Sequence, residues 1–424
     1  MSPTPRTSFP KDKIRVALLE GVHPRAGEAF KAEGFTVVAH AKSPADAALR
    51  EILHESHIVG VRSKTQIPAS LLADAPRLLA VGCFCIGTEQ VDIAAARSRG
   101  VPVFNAPFSN TRSVAELTIC ESIALVRGLP TKNTLMHVGQ WDKSAAGARE
   151  VRGKTIGIVG YGHIGSQVSV LAEAMGMRVI FFDVARKLPL GLARPVKSLA
   201  ELLKDADVVT LHVPGDASTK NMIGEKQLRM MKVGSVLINN ARGGCVDIGA
   251  LAEALGSGHL AGAALDVFPD EPAGAGEKFA SPLLGMSNVV LTPHIGGSTE
   301  EAQEQIALDV ADKLLAFINH GATAGAVNVP EVELPEQETI AQARVGSGAK
   351  ARPHRILHFH RNVPGVLSKM HAVIAGLGAN VSAEYLRTRE DVGYVVLDVD
   401  PTDGAKVLEG VRSVPETIRV RMLW

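Results

Sequence analysis

The sequence predicts an α/β protein in three parts: a Rossmann-type doubly wound parallel-sheet domain, a discontinuous flavodoxin-like domain around it, and a C-terminal ferredoxin-like βαββαβ domain. Three observations carry that prediction. Runs rich in Val, Ile and Leu alternate with helical patterns over most of the length, as a parallel sheet covered on both faces requires. A G-x-G-x-x-G stretch at Gly160, Gly162 and Gly165 directly follows one such run and opens a helical pattern. Beyond residue 353 the order changes to strand, helix, two strands, helix and strand. With 424 residues the chain is also too long for a single core.

In chain order, the first strands are expected at Ile14 to Leu19, Thr36 to Ala39, Ile58 to Val61 and Leu78 to Val81, with helices between them. An amphipathic helix from Val114 to Arg127, capped by Ser113 and stopped by Gly128 and Pro130, bridges into a second block. Strands follow there at Thr155 to Val159, Arg178 to Phe182, Val208 to Val213, Ser235 to Asn239, Gly262 to Asp266 and Val289 to Leu291. The helical pattern Glu300 to Asn319 then returns the chain to the first block. This gives a substrate-binding domain at 12–108 plus 300–335 and a dinucleotide domain at 109–299. Residues 336–353, with Gly346-Ser347-Gly348, read as a linker. In the last domain, 354–424, strands are expected at Arg355 to Phe359, Val381 to Arg387, Gly393 to Val399 and Thr417 to Leu423. Its helices are expected at Pro364 to Leu377 and Asp403 to Val411.

The 45 Lys+Arg nearly balance the 44 Asp+Glu, so composition gives no electrostatic footprint for nucleic acid or an anionic membrane surface. No apolar run reaches the roughly 18 residues of a membrane helix, and Met1 to Lys11 does not read as a signal or transit segment. A soluble, cytoplasmic protein is expected. Four cysteines are too few for a disulfide framework, and Cys83-Phe84-Cys85 reads as a buried structural pair, so no metal is expected.

Each part of the glycine stretch has a physical task. Gly160 makes the tight turn, Gly162 lets the backbone approach a pyrophosphate, Gly165 permits close helix packing, and the helix N-terminus favours the phosphate charge. Asp183 ends the next strand, 18 residues past Gly165. Its carboxylate can accept from a ribose diol and would repel a 2′-phosphate, which argues for NAD over NADP. Three ionisable residues follow the ends of three strands in the same block: Arg242, Glu271 and His294. In an open parallel sheet those ends form one edge, where ligands bind. Arg242 suits the carboxylate and carbonyl of a 2-keto acid, His294 the proton of the alkoxide, and Glu271 the orientation of His294. On the first block, Arg62-Ser63-Lys64-Thr65 follows a strand and places cations and hydroxyls where a substrate phosphate could be held.

The stretches Gly82-Cys-Phe-Cys-Ile-Gly-Thr88, Phe104-Asn-Ala-Pro-Phe-Ser-Asn-Thr-Arg-Ser-Val-Ala-Glu116, Ile158-Val-Gly-Tyr-Gly-His-Ile-Gly165 and Leu291-Thr-Pro-His-Ile-Gly-Gly-Ser298 carry a resemblance. From about Lys11 to Trp424 the chain resembles the D-3-phosphoglycerate dehydrogenases of the D-2-hydroxyacid dehydrogenase superfamily, in their short form with a C-terminal ACT domain. The resemblance implies NAD-dependent oxidation of 3-phosphoglycerate to 3-phosphohydroxypyruvate, the first step of the phosphorylated serine pathway, by a homotetramer. The family's catalytic Arg, Glu and His fall on Arg242, Glu271 and His294. Its cofactor contacts fall on His163, Ile164, Asp183, Asn240, Ala241, Arg242, Asp266 and His294, Ile295, Gly296 and Gly297. Lys143 matches a lysine that reaches the substrate region, and His360, Asn362 and Asn380 match residues that hold L-serine between two paired ACT domains. In this chain the three residues gather at one end of the C-terminal sheet, by the same reading. One departure stands out: Asn240-Ala241-Arg242-Gly243-Gly244-Cys245 replaces a pattern with Ser before the Arg. Competing readings are a dehydrogenase of another 2-hydroxyacid, such as glycerate or 2-hydroxyglutarate, and a non-enzymatic NAD-sensing corepressor scaffold.

Overall fold

The apolar runs of the N-terminal block form a parallel sheet of β1 (Arg15–Leu18), β2 (Thr36–Ala39), β3 (Ile58–Val61), β4 (Ala80–Cys83) and β5 (Val103–Asn105), in the order β2-β1-β3-β4-β5. The computed structural model describes residues 10–272, 276–334, 353–399 and 404–423. All of β3 and β4 is buried, as strands covered by helices on both faces must be, whereas β2 at the edge is largely exposed. The fourth strand begins at Ala80 rather than Leu78, because Leu78 N–H still closes a turn on Ala75 O. The sequence reading missed β5, whose short run is broken by Pro102. It is an edge strand, and Asn328 satisfies its outer backbone by accepting from Val103 N at 2.8 Å and donating to Val101 O at 2.9 Å.

The chain divides into two units, one made of the chain up to Pro107 with the chain from Gln303 onward, the other of Phe108–Ala302. The helix Glu300–His320 buries Ile306, Val310, Leu314 and Phe317 in the first. Gly82 of β4 permits that approach, since a Cβ there would lie 2.8 Å from both Leu314 Cδ1 and Val310 Cγ1.

The second unit holds β6 (Thr155–Val159), β7 (Arg178–Phe182), β8 (Arg194–Pro195), β9 (Val208–Leu211), β10 (Ser235–Asn239), β11 (Leu260–Leu265) and β12 (Val289–Leu291). They are parallel in the order β12-β11-β10-β9-β6-β7-β8, a doubly wound sheet with its switch point between β6 and β9. The two-residue β8 is too short to leave a pattern in the sequence. The bridging helix runs Thr111–Val126 from an Asn110 cap, so Ser113 is not its cap; it sits in the first turn with Oγ 2.9 Å from Thr299 Oγ1.

The C-terminal part of the first unit is an antiparallel sheet of β13 (His354–Arg361), β14 (Val381–Arg389), β15 (Val392–Val399) and β16 (Thr417–Leu423), in the order β14-β15-β13-β16. Helices Val366–Gly376 and Gly404–Arg412 bury Met370, Ile374, Val407 and Val411 against Ile356, Val395 and Leu397. Leu357, Phe359, Tyr394 and Val396 alternate onto the opposite face and share a core with Leu314 and Phe317, so β13 and β15 are buried on both sides. Residues 336–352 of the expected linker, including Gly346-Ser347-Gly348, lie outside the described residues.

Candidate active site

The registers of the second sheet bring the strand ends level. Val159 and Asn239 both pair with Leu211, Asn239 with Leu265, and Leu265 with Leu291. The residues after them therefore share one edge: Gly160, His212, Asn240 to Arg242, Asp266, and Thr292 to His294. Gly160 takes φ +91° against His212, where a Cβ would lie 2.4 Å from the carbonyl oxygen, and a Cβ at Gly165 would lie 2.2 Å from Gly160 O. Gly162 has open space around it and no side-chain cap, so the first N–H groups of the helix His163–Ala174 face outward without a Cβ in the way. His163, at the first helical position, packs against Phe108 with ring centroids 3.7 Å apart and planes tilted by 31°, and Ile164 is half-buried. Asp183 is oriented at the end of β7 by two bonds, accepting from Tyr161 N and Ala185 N, each at 2.8 Å. This cradle fits a dinucleotide in the donor groups and in the space it leaves.

At the same edge His294 Nδ1 lies 2.8 Å from Glu271 Oε2, and Glu271 Oε1 accepts from Phe268 N at 3.1 Å. With Nδ1–H donated to the carboxylate, Nε2 carries the free lone pair of a half-exposed ring. His294 adopts φ +56°, a left-handed backbone that is costly for a histidine. The buried carboxylate of Asp266 holds it there, accepting from Thr292 Oγ1 at 2.6 Å, Ile295 N at 2.7 Å and Gly296 N at 2.7 Å. Gly297 follows, its Cα so near Asn110 that a Cβ would lie 2.1 Å from Nδ2. Arg242 donates one Nη1–H to Ala241 O at 2.8 Å, and its other guanidinium donors have no protein acceptor among the described residues. Glycine is required next to it: a Cβ at Gly243 would lie 1.9 Å from the carbonyl carbon of Phe268.

Asn240 is expected among the cofactor contacts, and its side chain turns inward. It donates to Glu121 Oε2 at 2.7 Å and Thr118 Oγ1 at 3.1 Å on the bridging helix, while Ala241 is buried beside it. Burial pushes the Glu121 carboxyl up to about 7, with the Asn240 bond opposing the shift and the Asp266 charge adding to it. Glu121 was not foreseen, although Thr118, Glu121, Ser122 and Leu125 follow the spacing of the helix's buried face, which would have put a carboxylate inside. His212 was also missed; burial drives its imidazole down to about 3, and Nε2 meets Thr210 Oγ1 at 3.0 Å.

In the first unit the loop Arg62 to Thr65 is organised by an acid that sequence reading did not single out. Glu20, at φ +61°, accepts from Thr65 N at 2.7 Å, Lys64 N at 3.0 Å and Arg62 N at 3.3 Å, while Arg62 O accepts from Gln90 at 2.6 Å. Ser63 stands exposed between them. Lys143 is exposed in the irregular segment after the helix Leu129–His137. Cys83 is buried and Cys85 half-buried, both as free thiols pushed up by burial.

In the C-terminal sheet His360 and Asn362 stand at the end of β13, where Asn362 donates to Glu390 O at 3.0 Å and the buried His360 Nε2 has no partner among the described residues. Asn380 does not join them. It precedes β14, whose first residue Val381 pairs with Val399, and Val399 pairs with His354 at the start of β13. Because β13 and β14 both run antiparallel to β15, the residue after one and the residue before the other lie at opposite ends of the sheet, about 25 Å apart at the usual rise per residue. The expectation that all three gather at one end within a chain is therefore corrected.

Residues 119–296 match the D-isomer specific 2-hydroxyacid dehydrogenase NAD binding domain family, and residues 356–419 the AHAS small subunit-like ACT domain family. The chain is 50% identical to the D-3-phosphoglycerate dehydrogenase of Escherichia coli (strain K12) over 422 residues, covering 99% of this chain and 100% of that one. It is 48% identical to the D-3-phosphoglycerate dehydrogenase of Dictyostelium discoideum over 420 residues, with 99% and 100% covered. Among solved structures it is similar to the NAD-complexed D-isomer specific 2-hydroxyacid dehydrogenase of Lactobacillus delbrueckii ssp. bulgaricus. That match has TM-score 0.66 and 27% identity, and covers 74% of this chain and 100% of that one. No helix among the described residues is long and apolar enough to cross a membrane.

Proposed function

Because this chain belongs to the D-3-phosphoglycerate dehydrogenase family, NAD-dependent oxidoreductases with a C-terminal ACT domain, we propose that it oxidises 3-phosphoglycerate to 3-phosphohydroxypyruvate as the entry step of serine synthesis, under feedback by L-serine. The observation that carries the reading is the 2.8 Å contact of His294 with Glu271, on the strand edge that also bears Arg242 and the glycine cradle. Domain roles follow the same reading: 12–108 plus 300–335 bind substrate, 109–299 bind NAD, and 354–424 regulate. A cytoplasmic homotetramer belongs to it too.

Bound NAD supplies the acceptor for the hydride that leaves C2 of the substrate. The Gly162 backbone with the N–H groups of His163 and Ile164 would hold its pyrophosphate and Asp183 its ribose, while Ile295, Gly296 and Gly297 line the nicotinamide end. Arg242 holds the substrate carboxylate and the C2 oxygen with its unoccupied donors, which suits a planar fork better than an ammonium. His294 Nε2 takes the C2 hydroxyl proton as the hydride departs. Glu271 keeps the Nδ1 proton in place and stabilises the imidazolium that results. Arg62, Ser63, Lys64 and Lys143 serve the phosphate.

Mixing the purified chain with NADH and 3-phosphohydroxypyruvate and following NADH absorbance tests the reading. Rapid loss of NADH is expected. A chain that consumes NADH with 2-oxoglutarate or an unphosphorylated 2-keto acid but not with 3-phosphohydroxypyruvate overturns the substrate assignment, and one that consumes it with none overturns the activity.

A further inference from the structure

The C-terminal sheet meets the rest of the first unit around a cavity of about 630 Å³ whose lining includes Ser98, Arg99, Arg361, Asn362, Asp391 and Arg419. Three of the six are arginines, and none of them forms an ion pair with an acid among the described residues. Asp391 is taken up by Arg97 Nε at 2.9 Å, and Arg97 Nη1 also holds Glu390 at 2.6 Å. Glu416, whose carboxyl is pulled down by Lys369 and to a smaller degree by Arg361, is bonded to Lys369. Among the described residues, Arg99, Arg361 and Arg419 form no ion pair, Arg361 only adding at longer range to the charge around Glu416. Among the described residues, Arg419 donates to a carbonyl, Leu78 O, and the buried Nε of Arg99 has no hydrogen-bond partner. Burial, with the charges of Arg421 and Arg99 beside it, pulls the Arg419 guanidinium down to about 10. Like charges gathered around a partly enclosed space repel, and buried N–H groups without acceptors cost free energy; an anion would relieve both.

We propose that this cavity binds a phosphate group, held by the guanidinium forks of Arg99, Arg361 and Arg419 with Ser98 as a neutral donor. A tetrahedral dianion offers an oxygen to each fork, which a single carboxylate does not. None of the three arginines belongs to the coenzyme, catalytic or substrate set proposed above. The phosphate could be free inorganic phosphate or the phosphate of a small phosphorylated metabolite, and the cavity has room for either.

Isothermal titration of the full chain with inorganic phosphate, at constant ionic strength, tests this in four forms: native, Arg99→Gln, Arg361→Gln and Arg62→Ala. Arg62→Ala should lose only the binding that belongs to the substrate site and keep the rest, and that remaining phosphate binding should be at least about tenfold weaker when Arg99 or Arg361 is replaced, a change of roughly 1.4 kcal/mol. Because Arg361 is exposed, its replacement leaves the fold intact, and Arg361→Lys should recover part of the affinity. A second titration, of 3-phosphoglycerate into Arg62→Ala with and without Arg361→Gln, distinguishes the sources: heat that Arg361→Gln abolishes identifies a phosphorylated metabolite, and no such heat identifies free phosphate. Phosphate binding that survives both glutamine variants, is lost only in Arg62→Ala, or is absent from the native chain overturns the proposal.

Discussion

Asn240 donates its side-chain amide to Glu121 at 2.7 Å, tying the segment that carries Arg242 to the buried face of the helix Thr111–Val126. Glu121 Oε1 and Asn240 Oδ1 are buried without partners among the described residues, so the pair is only half satisfied when the carboxyl is charged. The folded-state pKa, about 7, lies above the unfolded value of 4.5, so the folded protein binds this proton more tightly. Its contribution to stability is complete below pH 4.5, fades as pH rises toward 7 and is absent above it. Glu121→Gln, neutral throughout, should therefore be more stable than the native chain at pH 8, by about 1–3 kcal/mol, and nearly equal to it at pH 5. Urea unfolding at the two pH values measures this; the same difference at both would mean that Glu121 does not titrate in the window.

The His294 and Glu271 roles separate in kinetics. His294→Gln should bind NADH normally and lower kcat by roughly 10²–10⁴, the usual worth of a positioned proton carrier. Glu271→Gln keeps the size of the side chain but removes the charge facing the imidazolium, and should lower kcat by roughly 10² with KM less affected. Near-native turnover in either variant removes that residue from the mechanism.

Asp183 already accepts two backbone N–H groups, which fixes its carboxylate at the end of β7 with lone pairs left for a diol. Asp183→Ala should weaken NADH and narrow its advantage over NADPH, since an acceptor and a repulsive charge vanish together. Competition binding of the two cofactors reads the ratio, and an unchanged ratio would place cofactor choice elsewhere.

Much of this site was legible because its chemistry is spaced locally. Gly160, Gly162 and Gly165 sit within six residues, and Arg242, Glu271 and His294 each follow a recognisable strand, so topology alone aligned them. What escaped was long-range or directional. Glu20 meets Thr65 and Glu121 meets Asn240 across sequence separations of 45 and 119, and no local pattern announces such partners. The side chain of Asn240 could not be aimed without knowing that a carboxylate lay in the helix beneath it. Asn380 was misplaced for a different reason: a residue before a strand and a residue after a parallel strand lie at opposite ends of a sheet, and that follows from chain direction rather than from residue type.

The Glu20 contacts make the Arg62 loop testable from behind. Arg62→Ala should penalise 3-phosphohydroxypyruvate far more than an unphosphorylated 2-keto acid, because a phosphate loses a fork that the smaller substrate never used. Glu20→Gln leaves every cation of the loop in place but loses charge-assisted bonds to three backbone N–H groups, each worth about 1–3 kcal/mol. The loop should loosen, and KM for the phosphorylated substrate should rise about tenfold with kcat little changed. Equal effects on phosphorylated and unphosphorylated substrates would remove this loop from phosphate recognition.

The separation of Asn380 from His360 and Asn362 decides how a serine site could be built. If all three contact one serine, the asparagine at the far end must come from a second copy, and a twofold pairing of C-terminal domains would then form two equivalent sites, each with His360 and Asn362 of one chain and Asn380 of the other. Asn362→Ala and Asn380→Ala should each abolish inhibition by L-serine when the variant is present alone, while leaving uninhibited turnover close to native. A hybrid assembled from the two variants behaves differently: in each such pair one site carries both substitutions and the other carries neither. Coexpressed with distinct tags and purified through both, the hybrid should regain serine binding at about half the native number of sites, with native affinity at each. Equilibrium dialysis counts them. A hybrid that binds no more serine than its parents shows that the three residues do not share a site across two chains, and a native chain indifferent to millimolar serine removes the feedback role itself.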